Sequence, residues 1–517
     1  MGLDINLLLS STDEANQKKF DTALADVDNY IATLQTVKIF IADSRSFGHQ
    51  ASSITILFNL IRLGCKATFI IVYETAAALA KVRVLLPITP NQTDPIQLAR
   101  PDGGMVTVEF LSFDEAQEPC DLALTGGYDD TIQNLIKLDA TSTIELQPFN
   151  WNKGENSIYK KGEGENPAVK YSLDTAIANF NQHSFYIDNP IQDNDFWDQF
   201  TAIYPQWATN VNLTKKVLEL YGDTEDFYLC PVYGINTGSI DPILSLFNLC
   251  TGISYMQDQT QFIQAKKAVI ISFSPQNQKG QDNDVNLQTL KNLIVNRNYK
   301  GGFYTPTANC IQYLASSSLG TRVKYYDVSD DGNSDPANLQ TAIDNLNSNE
   351  ILVVQIGPVP APVFNYTYFV ANLPFVFEGQ NTAALALNFG IPYIHITTPG
   401  NYIGNNLYPV IPPGSAVGNS NGKVATMIAS KTSVFPGLWK SPTAKLTKST
   451  ININNKAASL DALSPSYVLG KFMTEAVLNS PDNKMIRYFA NFKGYFHDVK
   501  NDKLILALIA LQYNVNA

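Results

Sequence analysis

The residues best suited to chemistry in this chain stand together as Glu378-Gly379-Gln380-Asn381-Thr382. An apolar run, Phe375-Val376-Phe377, stops at this pentapeptide, and an apolar segment of helical period starts from it. Gly379 lets a backbone approach a ligand with no Cβ in the way. The free N–H groups and positive dipole end of the helix that follows favour a phosphate. The plainer reading is a turn with a good N-cap. A second group is Asp43-Ser44-Arg45-Ser46-Phe47-Gly48-His49-Gln50, polar and again just past an apolar run. An imidazole at His49 can take a proton from a hydroxyl at neutral pH, or simply cap the helix that starts near Ala51. Asp43, and Asp129 after Gly126-Gly127, can act as bases or orienting groups, or serve as N-caps. Of the other histidines, His395 sits inside an apolar run and reads as structural, while His183 and His497 carry no argument.

Elements that would position these groups follow from the hydrophobic pattern. Residues 12–35 have the period of an amphipathic helix leading into a core strand, Val37 to Ala42. The Asp43–Gln50 loop, a helix Ala51 to Leu63 ending at Gly64, and a strand Lys66 to Val72 complete a parallel crossover. Val106 to Leu111 and Leu122 to Thr125 read as further strands, the second ending in Gly126-Gly127-Tyr128-Asp129-Asp130. The Gly-, Lys- and Asn-rich stretch from Asn150 to Asn166 reads as a loop or hairpin, and residues 170–230 as helical, aromatic material. A second series of strands runs Ala268 to Ser274, Gly301 to Tyr304, Val323 to Val328, Ile351 to Ile356, Phe375 to Phe377 and Tyr393 to Ile396. From Ser464 the chain reads as two helices. Ligands of open α/β sheets gather at the carboxyl ends of the strands, where both polar loops fall.

At 517 residues the chain exceeds one ordinary core, and 45% hydrophobic residues supply material for two or three. The 36 Lys+Arg against 47 Asp+Glu leave a net charge of −11, with only seven arginines. That balance argues against nucleic acid and anionic membranes as partners. The five cysteines, Cys65, Cys120, Cys230, Cys250 and Cys310, are scattered with no CxxC, so neither a zinc site nor a disulfide framework is expected. There is no basic leader at the N-terminus and no run long enough to span a bilayer, so the expectation is a cytoplasmic chain. Asp193-x-Asp195 has the form of a metal-binding DxD but lacks a preceding apolar strand. Residues Asp327 to Asp335 follow a calcium loop up to Gly332, but position twelve is Asn338, not Glu. HExxH, Walker A and GxGxxG are all missing.

Two tandem α/β halves with polar loops facing one another resemble the GT-B glycosyltransferase superfamily. Gly48-His49 after the first strand, with a helix ending Arg62-Leu63-Gly64, is similar to the N-domain opening of many members. Gly379-x-x-Thr382, followed by Gly390-x-Pro392 and an apolar strand, resembles their donor-binding motif, and Ser274-Pro275-Gln276 stands where another donor loop lies. The resemblance implies two Rossmann-like domains facing a central cleft. They would comprise a helical segment 1–36, an acceptor domain 37–235, a donor domain 236–440 and a helical extension 441–517. It implies metal-independent transfer of a sugar from a nucleotide-sugar, a substrate and not a cofactor, to a glycan, protein or small-molecule acceptor. The donor would lie on Ser274, Pro275, Gln276, Glu378, Gly379, Gln380, Asn381 and Thr382. His49 and Asp43 would be catalytic, and Arg45, Gly48, Gln50, Gly126, Gly127 and Asp129 would line the acceptor side. Two departures stand out. The carboxylate that commonly grips the donor ribose, three residues past the Thr, is Leu385 here, and the second glutamate of retaining members falls on Ala386. They keep two alternatives open: a GT-B-shaped carbohydrate- or protein-binding protein without catalysis, and a sugar-nucleotide epimerase.

Overall fold

A computed structural model describes residues 4–43, 48–88, 94–116, 118–126, 138–148, 156–161, 169–190, 192, 195–233, 242–273, 319–328, 330–377, 380–395, 465–478 and 484–513. It contains two parallel-rich sheets, each with helices, and helices at the C-terminal end. Ser274–Gln276, Glu378, Gly379, Arg45, Gly127, Asp129, Asp193, Cys310 and the strand expected at Gly301 to Tyr304 lie outside the described residues.

The first sheet comprises β1 (Thr36–Ile41), β2 (Thr68–Tyr73), β3 (Ile96–Ala99), β4 (Met105–Ser112), β5 (Cys120–Thr125), β6 (Ala140–Glu145), β7 (Ser157–Lys160) and β8 (Val169–Ser172). Their order is β3-β4-β2-β1-β5-β6-β7-β8. The five strands from β4 to β6 pair in parallel, and β3, β7 and β8 add antiparallel edges. The connections leave β1 in one direction and return at β5 on the other side, so the topological switch lies between β1 and β5. Helices α1 (Ile5–Ser10), α2 (Glu14–Thr33), α3 (Gly48–Arg62) and α4 (Ala76–Leu85) belong to this half. Strand β1 is buried on both faces, and that includes Lys38. Its ammonium is satisfied by the backbone carbonyls of Ala116 (2.8 Å), Leu138 (3.0 Å) and Glu118.

The second sheet comprises β9 (Phe227–Tyr233), β10 (Lys267–Ser272), β11 (Val323–Asp327), β12 (Ile351–Gln355), β13 (Phe375–Phe377) and β14 (Tyr393–His395). All its pairings are parallel, in the order β11-β12-β10-β9-β13-β14, with the switch between β9 and β13. Strand β9 falls within residues expected in the first half, yet it is central to the second sheet. The helices Phe196–Ile203 and Ala208–Thr224 join the second core with it. Pro231 masks this strand in the sequence. The structure tolerates it because β13 pairs with β9 only from Val232 onward, so no ladder bond needs the missing N–H.

Three helices are described near the C-terminus, Pro465–Val477, Lys484–His497 and Lys503–Tyr513. The first two pack on the second core, while Leu504 to Leu511 are all buried in the first core, against α2. Asp502 starts the last helix, its carboxylate accepting the N–H groups of Leu504 (2.8 Å) and Ile505 (3.1 Å).

Candidate functional site

A cavity of about 430 Å³ lies between the halves. From the first half it takes α3, which starts just past β1 at the first switch point. From the second it takes the ends of β9 and β10 at Tyr233 and Phe273, the turn Pro358-Val359 past β12, and the helices Ala361–Val370 and Gln380–Phe389. The last of these begins just past β13, at the second switch point. Loops that the sequence marks as polar strand ends on two different sheets thus reach one cavity, and the residues that do so are Gly48, Asn381 and Thr382.

Helix α3 presents a stripe to this space: Gly48, Ala51, Thr55, Phe58 and Arg62, spaced three and four residues apart on one face. His49 is one residue off that stripe, about 100° round the helix. It shares its face with Ile56 and Leu60, both fully buried against the first core. The imidazole is therefore half-buried beside the cavity and is not among its described lining. Burial, with the Lys81 ammonium second, lowers its pKa, so the ring is neutral at neutral pH. Asp43 is exposed, and its N–H is held by the Glu74 carboxylate at 2.7 Å. Gln50 is wholly buried and is not among the described lining of the cavity. Its amide nitrogen donates to Ala42 O (3.1 Å), while Oε1 finds no partner among the described residues. Gly126 serves packing: a Cβ there would lie 2.6 Å from the Ser52 carbonyl carbon, and its N–H donates to Ser53 Oγ at 3.0 Å. The structure thus brings Gly48, Asn381 and Thr382 together at the cavity and gives Gln50 and Gly126 structural positions instead.

The walls are held by contacts between the halves. Ser52 Oγ meets Asn381 Oδ1 at 3.3 Å. Asn388, buried on the 380–389 helix, donates to Phe185 O (2.8 Å) and Ala384 O (2.8 Å) and accepts from Ile187 N (3.1 Å). Asn59 of α3 donates to Tyr186 O at 3.0 Å, so one asparagine from each half grips the same segment. Trp207 stacks on Tyr204 (5.7 Å, 21°), whose hydroxyl reaches the Leu86 carbonyl of the first half.

Several lining residues carry no motif that a sequence reading can use. Phe58, Trp207, Phe273, Phe364 and Leu385 give the cavity an apolar and aromatic surface. Phe364 is fixed against Tyr233, Phe273 and Tyr368 at ring separations of 5.5, 5.4 and 4.4 Å. Charge is sparse. Arg62 lies over the Tyr186 ring (4.1 Å), accompanied by Asn59 Oδ1 (3.1 Å) and by the buried Asp502 carboxylate (3.5 Å). Asp188 accepts the Tyr186 hydroxyl at 2.6 Å. Among the described residues no His/Cys/Asp/Glu group is arranged to hold a metal, and no helix is long and apolar enough to cross a membrane. The calcium-like stretch closes on itself, Asn333 Nδ2 donating to Asp327 O at 2.7 Å and Asp335 capping the helix Pro336–Asp344.

No family model and no curated protein matches the chain. Among solved structures it is similar to the N-terminal domain of trehalose-6-phosphate phosphatase from Candida albicans. The two are 11% identical with a TM-score of 0.22, over 95% of this chain and 78% of that one. A likeness that loose carries neither a fold assignment nor an activity.

Proposed function

We propose that the chain is a GT-B-type glycosyltransferase that moves a sugar from a nucleotide-sugar donor to a hydroxyl-bearing acceptor without a metal ion. The observation that supports it is the meeting of both switch points at one cavity, Gly48 from the first sheet and Asn381 with Thr382 from the second. In this reading the donor diphosphate rests on Glu378 to Thr382, at the N-terminus of the 380–389 helix, with Ser274-Pro275-Gln276 as a second contact. The acceptor lies along α3. Its hydroxyl enters beside Gly48, and the neutral His49, half-buried beside the cavity and outside its described lining, would turn toward it to take the proton as the oxygen attacks the anomeric carbon. The diphosphate leaves with the bonding pair, and the helix N-terminus offsets the charge it gains. Asp43, exposed at the end of β1, is the alternative base.

A thermal-shift panel of UDP-, GDP- and dTDP-sugars tests this reading. A true donor at 100 times its dissociation constant stabilises the fold by about 2.7 kcal/mol. No shift with any of them overturns donor binding. A second reading, a binding protein of the same shape without catalysis, is favoured by one feature: Leu385 itself lines the cavity, where a ribose-gripping carboxylate would stand. Under it, a carbohydrate raises the melting midpoint and no nucleotide does.

A further inference from the structure

We infer that the stretch of the cavity along α3, from Thr55 to Arg62, takes the apolar body of an uncharged, hydroxyl-bearing ligand of about two rings, and selects against the same ligand carrying a phosphate. That this ligand is the acceptor rests on the transfer proposed above; its chemical character does not.

The walls supply the first argument. Phe58 on α3 is 39% exposed despite lining a concavity, a large aromatic surface left uncovered by the protein itself. Leu385, Phe364 and Trp207 come to the same space from the second half, so a flat apolar body would be covered from both halves. A volume of about 430 Å³ falls within the range of small-molecule pockets. The distance from Gly48 to Arg62, roughly 20 Å at the helical rise, makes the cavity elongated along α3.

Charge supplies the second. Among the described residues that line the cavity, Arg62 is the only cation. Its guanidinium is engaged by Asn59, by Asp502 and by the face of Tyr186. Drawing it to a phosphate would leave Asp502, a buried carboxylate, without its cation. Asp188 adds a negative charge at the same end. A phosphate entering along α3 loses water and gains no free counter-charge, whereas a hydroxyl needs only neutral groups such as the Thr55 hydroxyl and the Asn365 amide.

The test uses two probes that share one ring system, 4-methylumbelliferone and its phosphate ester. Binding to the full chain is followed by probe anisotropy at mildly acidic pH, where the phenol stays protonated. The hydroxycoumarin is expected to bind and the ester to bind at least about tenfold more weakly. Thr55→Trp, which fills the cavity from α3, should lower hydroxycoumarin affinity at least about tenfold with an unchanged melting midpoint. If that variant does not fold, Phe58→Ala, from an exposed position, must weaken binding in its place. An ester that binds as tightly as the hydroxycoumarin overturns the inference, as do a wild type that binds neither probe and a folded, filled variant that binds normally. Adding sugar nucleotides separates the two claims. Hydroxycoumarin that binds without forming a glycoside removes the transfer reading and leaves this inference standing. Glycosylation of a charged acceptor, with no hydroxycoumarin bound, does the reverse.

Discussion

Two of the helices that wall the cavity, α3 and the helix Gln380–Phe389, are built on opposite plans. Helix α3 is amphipathic in an unusual sense: it buries Gln50, Ser52, Ser53 and Asn59 along with its apolar residues, and turns a stripe that includes the exposed Phe58 to the cavity. Its inner polar groups are spent on backbone and cross-half hydrogen bonds, such as Ser53 to Phe40 O and Asn59 to Tyr186 O. The 380–389 helix is buried from Thr382 to Phe389 without a break, because the helix Lys484–His497 covers its outer side. Gly390 ends it at a φ of +67°, where a Cβ would sit 2.9 Å from Phe489 O. One wall therefore carries the stability of its half, and the other is free to be shaped to a ligand.

Truncation on each wall should divide the two most sharply. Leu387→Ala, at a fully buried site of the 380–389 helix, is expected to cost about 2–5 kcal/mol in denaturant unfolding. Phe58→Ala on α3 should fall within about 0.5 kcal/mol of wild type. Equal costs would break the comparison. The asparagines refine it. Asn388→Ala strands Ile187 N and Phe185 O inside the protein and should cost roughly 2–3 kcal/mol, while Asn59→Ala, with one bond to the segment, should cost about 1 kcal/mol. A reversed order would mean that α3 holds the segment instead.

The segment that both grip also carries His183, whose pKa burial, with the Lys503 ammonium second, pushes down to about 4. The folded state resists protonation there while the unfolded chain, at 6.5, accepts it. Stability from this group is therefore full above pH 6.5 and is lost progressively as pH falls toward 4. Between pH 7 and pH 5 the loss should be on the order of 1–2 kcal/mol, and a His183→Asn variant should lack that part of the slope. Parallel pH profiles for wild type and variant would remove His183 as its source.

Strand–turn–helix units were legible because a short apolar run, a polar turn and a helical period follow one another in order. This is why Gly48, Asn381 and Thr382 could be read as neighbours of a cavity. Strand β9 was not, since Pro231 argues against a central strand until its partner's register is known. His49 shows a finer limit. The sequence places it in the right turn, but one helical residue decides whether it faces the cavity or the first sheet. Trp207, Phe364 and Arg62 come from three distant segments with no shared pattern, so only packing assembles them. Asn388 did leave a trace, a lone amide closing the run Ala383-Ala384-Leu385-Ala386-Leu387, which is costly to bury unless it has work to do.

The last helix has a consequence for how the molecule comes into being. Ile5 and Leu511 share one core, with the whole second sheet lying between them along the chain. During synthesis the first core must wait, with α2 and its neighbours incompletely covered, until Lys503 to Tyr513 have followed the second sheet out of the ribosome. A helix made after the whole second sheet is thus the keystone of the half made first, and a chain cut short before Lys503 would leave that half open to proteases and chaperones.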